Sequence, residues 1–235
     1  MSSDPAVPSG PHPSTAFDWA VYGNATLAGL SILIPIPFLD SAFEWFFSRQ
    51  IMPTLIVRRG YKPSLPALSE FERDGDPWYT GCLLWPVSLS WSIIKRFSKK
   101  ILYFLTVKEA TDKLSYYWHR AFLLDYILAL GHLDDPNAAS LARLALAHTL
   151  NSAGISPLTQ LARQIAAAPG HIFRSLRRAR RGKVDAELQA KRSLIAQTWD
   201  SFAGYLDDLA ARYDRAYATA LATRKAQVEQ VAGNP

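Results

Sequence analysis

The sequence predicts an all-α protein: a bundle of six or seven helices with a long C-terminal helix and a disordered N-terminal tail. Apolar residues recur at every third or fourth position through most of the 235 residues, which is the spacing of one face of an α-helix. Capping residues, prolines and glycines mark the ends of these segments. No stretch alternates apolar and polar residues between turn signals, so we predict no β-strand.

The chain begins with a polar, proline-rich segment. Residues 1–16 contain four prolines among serines, a composition that cannot bury enough apolar surface to fold. We therefore expect a disordered tail, followed by a single helical domain over residues 17–235, and no signal peptide. The single cysteine, Cys82, excludes a disulfide framework within one chain. We expect it to be a buried apolar residue of a cytosolic protein.

Two runs without a charged residue come next. They cover residues 19–39 and residues 77–94, and each is long enough to be considered as a membrane span. Pro35, Pro37 and Pro86 interrupt them, and proline removes a backbone donor and disfavours helix at the preceding residue. We therefore predict that both runs are buried, interfacial or re-entrant and do not cross a bilayer.

A helix with an aromatic stripe follows the first run. Ser41 and Glu44 have the spacing of a capping box, and Gly60 after two arginines is a typical helix stop. The stripe at helical spacing consists of Phe43, Phe46, Phe47, Ile51 and Leu55. Residues 61–78, punctuated by proline and glycine, predict a connector.

A basic amphipathic helix is predicted over residues 86–105. Its cationic face consists of Lys95, Arg96, Lys99 and Lys100. Because its other faces carry aromatic and aliphatic residues, the pattern is typical of a helix that lies in a membrane interface. A core helix with a solvated lysine face is the alternative, and the sequence favours neither.

Four more helices are predicted in the rest of the chain. The first starts with a capping box at Thr106 and Glu109 and ends at Gly131. The next two each start with a capping residue and a proline, at Asp135-Pro136 and Ser156-Pro157. The last covers residues 184–227, and its apolar spacing over residues 195–220 indicates antiparallel bundle packing or a coiled coil.

Positive charge is concentrated in the middle of the chain. Residues 1–94 carry five basic and eight acidic groups (−3), residues 95–183 fifteen and five (+10), and residues 184–235 six and seven (−1). The densest cluster contains Arg174, Arg177, Arg178, Arg180 and Arg181. Such a region favours an anionic partner. Because no nucleic-acid-binding module surrounds the cluster, anionic lipid is favoured over nucleic acid, with a solvated loop as the alternative.

The sequence carries no motif of a known catalytic or cofactor site. His132, Asp134 and Asp135 are metal-ligating residue types, but their position at a helix-to-helix turn favours capping and turn formation instead. A second polar group on one helix face consists of Asp112, Tyr116 and His119, and we interpret it as a solvated face. We therefore predict no catalytic residue, no metal site and no cofactor. An enzyme acting on lipid has no motif in its favour.

One segment, IPIPFLDSAFEWFFSRQIMPTLIVRRGYK, resembles part of two bacterial protein groups. The matching residues are Pro35, Ile36, Pro37, Asp40, Met52, Gly60 and Tyr61. Over residues 26–61 the chain resembles the EcsC-like proteins and the helical domain that follows an Era-like GTPase domain in some inner-membrane proteins. The resemblance implies an all-helical, membrane-associated bacterial protein without an assigned activity. It brings no catalytic residue, and the chain has no GTPase motif.

Two function hypotheses follow. The first is a non-enzymatic, membrane-associated protein, a scaffold or adaptor, on the cytoplasmic face of the cell membrane. Its inserting residues are predicted to be Leu33, Ile34, Pro35, Ile36, Pro37, Phe38, Phe43, Phe46, Phe47, Trp85 and Trp91. The basic residues of helix 86–105 and the arginines at 174–181 are predicted to bind anionic lipid.

The second hypothesis is a soluble helical module that binds an apolar ligand or a partner helix through the same aromatic residues. In a soluble bundle, the helices at 107–130 and 195–220 must cover both uncharged runs, because monomers rarely expose large apolar patches. A protein partner or self-association through residues 195–220 is a further expectation under either hypothesis.

Overall fold

The computed structural model describes residues 19–33, 39–72, 99–153, 156–166, 198–199 and 201–232. Within these ranges all regular structure is helical, which confirms the all-α prediction. The helices are α1 (Trp19–Leu30, followed by a 3₁₀ turn at Ser31–Leu33), α2 (Leu39–Arg59), α3 (Leu65–Glu72), α4 (Lys99–Ala129), α5 (Pro136–Ser152), α6 (Pro157–Ala166) and α7 (Ala203–Ala232). The predicted N-terminal tail lies outside the described residues.

Helix α4 is the centre of the bundle. It packs against α1, α2 and α6 and also contacts α5 and α7. Its buried apolar side chains include Leu114, Trp118, Phe122, Leu124 and Ile127. The buried residues at positions 110, 114, 117, 121, 124 and 128 follow the predicted three-and-four spacing, so the prediction of a bundle helix through residues 107–130 is confirmed, although the helix starts earlier than predicted. Removing such side chains from water contributes about 1.5–3 kcal/mol each, and α4 supplies several of them to one core.

The first uncharged run is buried inside the protein where the structure describes it. Tyr22, Ala25, Ala28 and Leu30 of α1 are all shielded from solvent, and α2 and α4 are the helices that cover them. The indole Nε1 of Trp118 donates a hydrogen bond of 3.0 Å to the buried hydroxyl of Thr26. Of the three predicted locations for this run, residues 22–31 occupy the buried one. The second run, residues 77–94, lies outside the described residues.

Four of the predicted helix boundaries are confirmed, at two glycines and two capping residues. Gly60 and Gly131 have φ angles of +59° and +71°, in the left-handed region that only glycine adopts without strain. The carboxylate of Asp135 accepts a hydrogen bond of 2.9 Å from the amide of Ala138 and caps α5. The hydroxyl of Ser156 accepts one of 3.2 Å from the amide of Thr159 at the start of α6.

Two predicted helix starts are wrong. Helix α4 runs without interruption through Thr106, because neither glycine nor proline interrupts the residues before it and the backbone ladder continues. Glu109 lies 4.0 Å from the ammonium group of Lys113, one turn ahead, as an exposed i,i+4 pair does. Helix α2 starts at Leu39, so Ser41 lies within the helix and Glu44 bonds to another helix.

Two segments are organised differently from the prediction. The predicted connector at residues 61–78 contains α3, which packs on α5. The predicted continuous helix over residues 184–227 is interrupted by a turn at residues 201–202. Trp199, just before this turn, is fully buried, with its ring 4.3 Å from that of Tyr22 and 5.8 Å from that of Trp118. The turn follows this buried ring, and α7 then extends from Ala203 to Ala232.

Gly29 tests the contact between α1 and α4. A methyl group at this position would lie 2.4 Å from the Cα atom of Leu114, so Gly29→Ala must push the two backbones apart. We expect a loss of about 1–3 kcal/mol in the free energy of unfolding, as for other overpacked sites. Gly23→Ala, in the same helix with open space around the site, is expected to stabilise by up to about 1 kcal/mol. Urea unfolding measures both; equal changes would contradict the close approach.

Candidate functional site

The first half of α2 presents large aromatic side chains to solvent. Phe43, Trp45 and Phe46, which we call the aromatic surface, are 41%, 43% and 50% exposed. Phe47 lies between this surface and the core, with its ring centre 5.9 Å from that of Phe43 and 5.2 Å from that of Phe46. The guanidinium carbon of Arg49 lies 4.6 Å from the ring centre of Trp45, within cation–π distance.

The second half of α2 anchors this surface to the bundle. Ile51, Met52 and Leu55 are buried in the core, and Pro53 lies within the helix on its exposed side. At the C-terminal end, the guanidinium group of Arg59 donates two hydrogen bonds, of 2.5 and 2.7 Å, to the two carboxylate oxygens of Asp125 in α4. Such two-pronged pairs combine charge with fixed geometry.

Glu44 ties the aromatic half of α2 to α4. Its carboxylate accepts hydrogen bonds from the hydroxyl of Tyr117, at 2.8 Å, and from the ammonium group of Lys113, at 2.7 Å. Burial, and then the nearby Glu44 charge, raise the pKa of Tyr117, so its hydroxyl stays a donor. Glu44 therefore turns the inner face of α2 toward the bundle and leaves Phe43 and Phe46 outside.

The structure describes only part of the predicted membrane site. It brings Phe43, Phe46 and Phe47 together and adds Trp45, which the sequence analysis did not select. The signal for Trp45 was Arg49, four residues later on the same face. Leu33, in the 3₁₀ turn, and Lys99 and Lys100, at the start of α4, have described backbones only. Outside the described residues lie Ile34, Pro35, Ile36, Pro37, Phe38, Trp85, Trp91, Lys95, Arg96, Arg174, Arg177, Arg178, Arg180 and Arg181.

Bilayer crossing requires a helix that is both long and strongly apolar. None of the helices in the described ranges meets both conditions.

A polar cluster with two buried and two half-buried members joins α4, α6 and α7. Its members are Ser115, His119, Thr159 and Tyr205. The first three, together with the exposed Asp112 and Tyr116, line a cavity of about 250 Å³. The hydroxyls of Ser115 and Thr159 are 2.9 Å apart, and His119 Nε2 lies 2.6 Å from the hydroxyl of Tyr205. The predicted solvated face is thus wrong for His119, which is only 2% exposed. No local pattern could reveal this, because Thr159 and Tyr205 come from distant helices.

The hydrogen bonds of His119 show that this histidine does not activate Ser115 as a nucleophile. Its Nδ1 lies 2.6 Å from the backbone carbonyl of Ser115, and because a carbonyl only accepts, Nδ1 carries the proton. Nε2 then accepts the hydrogen bond of Tyr205. The hydroxyl of Ser115 is 3.4 Å from Nδ1, a nitrogen that has no lone pair to receive its proton. His119 therefore connects helices and does not act as a base toward Ser115.

The turn between α4 and α5 holds a second histidine. His132 Nδ1 lies 2.8 Å from the hydroxyl of Tyr213, and its ring stacks on that of Tyr217 at 4.2 Å. Asp134 accepts a hydrogen bond from Tyr61, and Asp135 caps α5, as predicted for this turn. Across the described ranges, no three side chains of metal-ligating types are grouped as an ion would require.

A comparison with known proteins found no protein-family model, curated protein or solved structure that matches the chain.

The buried state of His119 predicts a pH dependence of stability. Burial lowers the pKa of His119 below its ordinary value of 6.5, so the unfolded chain binds more protons than the folded one below that pH. Stability is then complete above pH 6.5 and falls as the pH drops toward the folded-state pKa. We expect His119→Gln to reduce the slope of unfolding free energy between pH 6.5 and 5.5, by at most about 1.4 kcal/mol per pH unit.

Urea unfolding at several pH values measures this slope. His148→Gln, at an exposed position of α5, controls for the loss of a histidine as such. The slope is the informative quantity, since His119→Gln also removes hydrogen bonds at every pH. An unchanged slope in His119→Gln would show that this ring does not resist protonation in the folded state.

Proposed function

We propose that this chain is a non-enzymatic helical protein that associates peripherally with an anionic membrane surface on the cytoplasmic side, as a scaffold or adaptor. The observation that carries the proposal is the aromatic surface: three large exposed rings on one anchored half-helix. Phe and Trp gain free energy when they leave water, and Trp is enriched where a bilayer meets water.

The arrangement of α2 supports insertion by a fixed element. Ile51 and Leu55 are fully buried while Phe43 and Phe46, two turns earlier, are exposed. Because the bonds of Glu44 already hold the inner face of this half-helix, the aromatic surface is directed away from the bundle before any membrane is met. Preorganisation of this kind reduces the entropy lost on binding.

The charge distribution supports an anionic surface. Arg49 lies over Trp45 at the edge of the aromatic surface, and residues 95–183 carry a net charge of +10. Basic residues near an anionic bilayer contribute about 1 kcal/mol each. The resemblance of residues 26–61 to membrane-associated bacterial groups supports the same proposal, and this segment includes the aromatic half of α2.

A soluble helical module is the second candidate. Burial of residues 22–31 between α2 and α4 favours it, since a soluble bundle must cover its uncharged runs with its own helices. In that case the aromatic surface would bind an apolar ligand or a partner helix.

Co-sedimentation with vesicles separates the two candidates. Vesicles containing a fifth phosphatidylserine are expected to pellet the full chain, and Phe43→Ser combined with Phe46→Ser is expected to weaken binding about tenfold or more, since each ring loses contact with lipid. The matched control is Leu65→Ser combined with Val228→Ser, which removes two exposed apolar side chains elsewhere. Wild-type protein that stays in the supernatant, or equal binding by both variants, would overturn the proposal and favour the soluble module.

A further inference from the structure

A groove of about 380 Å³ runs between α5 and α7, helices that do not carry the aromatic surface. Residues on both helices line it at helical spacing, among them Leu144, His148, Ser152, Arg212, Arg215 and Ala220. Its volume is within the range of small-molecule sites.

The two helices are antiparallel along the groove. Arg224 of α7 donates hydrogen bonds to Asn137, at 2.7 Å, and to Ser140, at 2.9 Å, near the start of α5. Going backward along α7, residue 220 then lies beside Leu144 and residue 212 beside Ser152. The groove therefore has one end with arginine groups and Ser152, and another end with Leu144, Ala220 and Thr219, whose hydroxyl donates to the carbonyl of Arg215 at 2.8 Å.

The basic end carries charge that the described protein does not neutralise. Arg212 is paired with Asp208 at 2.6 Å. Arg215, one turn later and facing the same groove, has no hydrogen bond or ion pair from its side chain within the described ranges, and the same holds for His148. An arginine fork binds phosphate or carboxylate oxygens through two parallel hydrogen bonds, so this end suits an anionic head group.

The other end suits an apolar group. Leu144 is 52% exposed, although α5 buries its neighbours Leu141 and Ala145 against the bundle. Ala216 and Ala220 opposite it have side chains too small to fill the space. Leu144 therefore lies beside an open space lined by the small side chains of Ala216 and Ala220.

We propose that this groove binds a phosphate monoester that carries a short apolar group. Arg215 pairs with the phosphate, His148 supplies a further donor, and Leu144 contacts the apolar group. A phosphate with three free oxygens uses more of these donors than a carboxylate. The head group of an anionic lipid and a soluble phosphate ester share this chemistry. The assignment is independent of the proposed membrane function, because it uses different residues.

Titration calorimetry of the full chain with n-hexyl phosphate and with inorganic phosphate tests the groove. We expect hexyl phosphate to bind more tightly than phosphate, and Arg215→Gln to weaken both about tenfold. Leu144→Ser is expected to weaken hexyl phosphate only. Lys225→Gln, an exposed cation further along the same helix, is the charge-matched control and should bind like the wild type.

No binding of hexyl phosphate, or equal weakening by Arg215→Gln and Lys225→Gln, would overturn the assignment. Competition by vesicles containing phosphatidic acid would identify a lipid head group as the source, and its absence a soluble ester. The Phe43→Ser, Phe46→Ser variant should retain hexyl phosphate binding, so failure of the membrane proposal and failure of the groove assignment give different results.

Discussion

The close approach of α1 to α4 at Gly29 determines where the other helices lie. With no side chain at this position, the backbones of Gly29 and Leu114 come close enough for Trp118 to reach Thr26 and for Tyr22 to meet the ring of Trp199. These contacts bury the first uncharged run, which is covered by α2 as well as by α4. A helix as apolar as α1 would otherwise be exposed to water, which a folded chain avoids.

The position of α2 follows from this packing. Its second half completes the core around Ile51 and Leu55, and its ends are joined to α4 through Glu44 and Arg59. The two charged partners on α4, Lys113 and Asp125, are separated by more than three helical turns. Because α2 is attached at two distant points, these partners set its direction as well as its position. The aromatic surface is exposed because the inner face of the helix is already occupied.

Much of the fold could be predicted from local signals. Gly60, Gly131 and Asp135 mark helix ends because their conformations depend on the residue itself and its nearest neighbours. The uninterrupted passage of α4 through Thr106 and the turn after Trp199 could not be predicted, because distant packing overrides capping propensity and heptad spacing there. The same distinction between local and distant determinants applies to the candidate site. Phe43 and Phe46 stand out in the sequence, whereas burial of His119 depends on residues 40 and 86 positions away.

Pro53 removes one backbone hydrogen bond near the middle of α2. Proline has no amide hydrogen, so the carbonyl of Arg49, one turn earlier, loses its helical donor. The backbone ladder is thus weakest where the exposed half of α2 meets the buried half. Proteins open in cooperative units whose boundaries follow such weak points. The two halves of α2 are therefore held differently: residues 39–49 depend on the bonds of Glu44 to α4, whereas residues 51–59 are held by the core, and amide hydrogen exchange across α2 should fall into two classes.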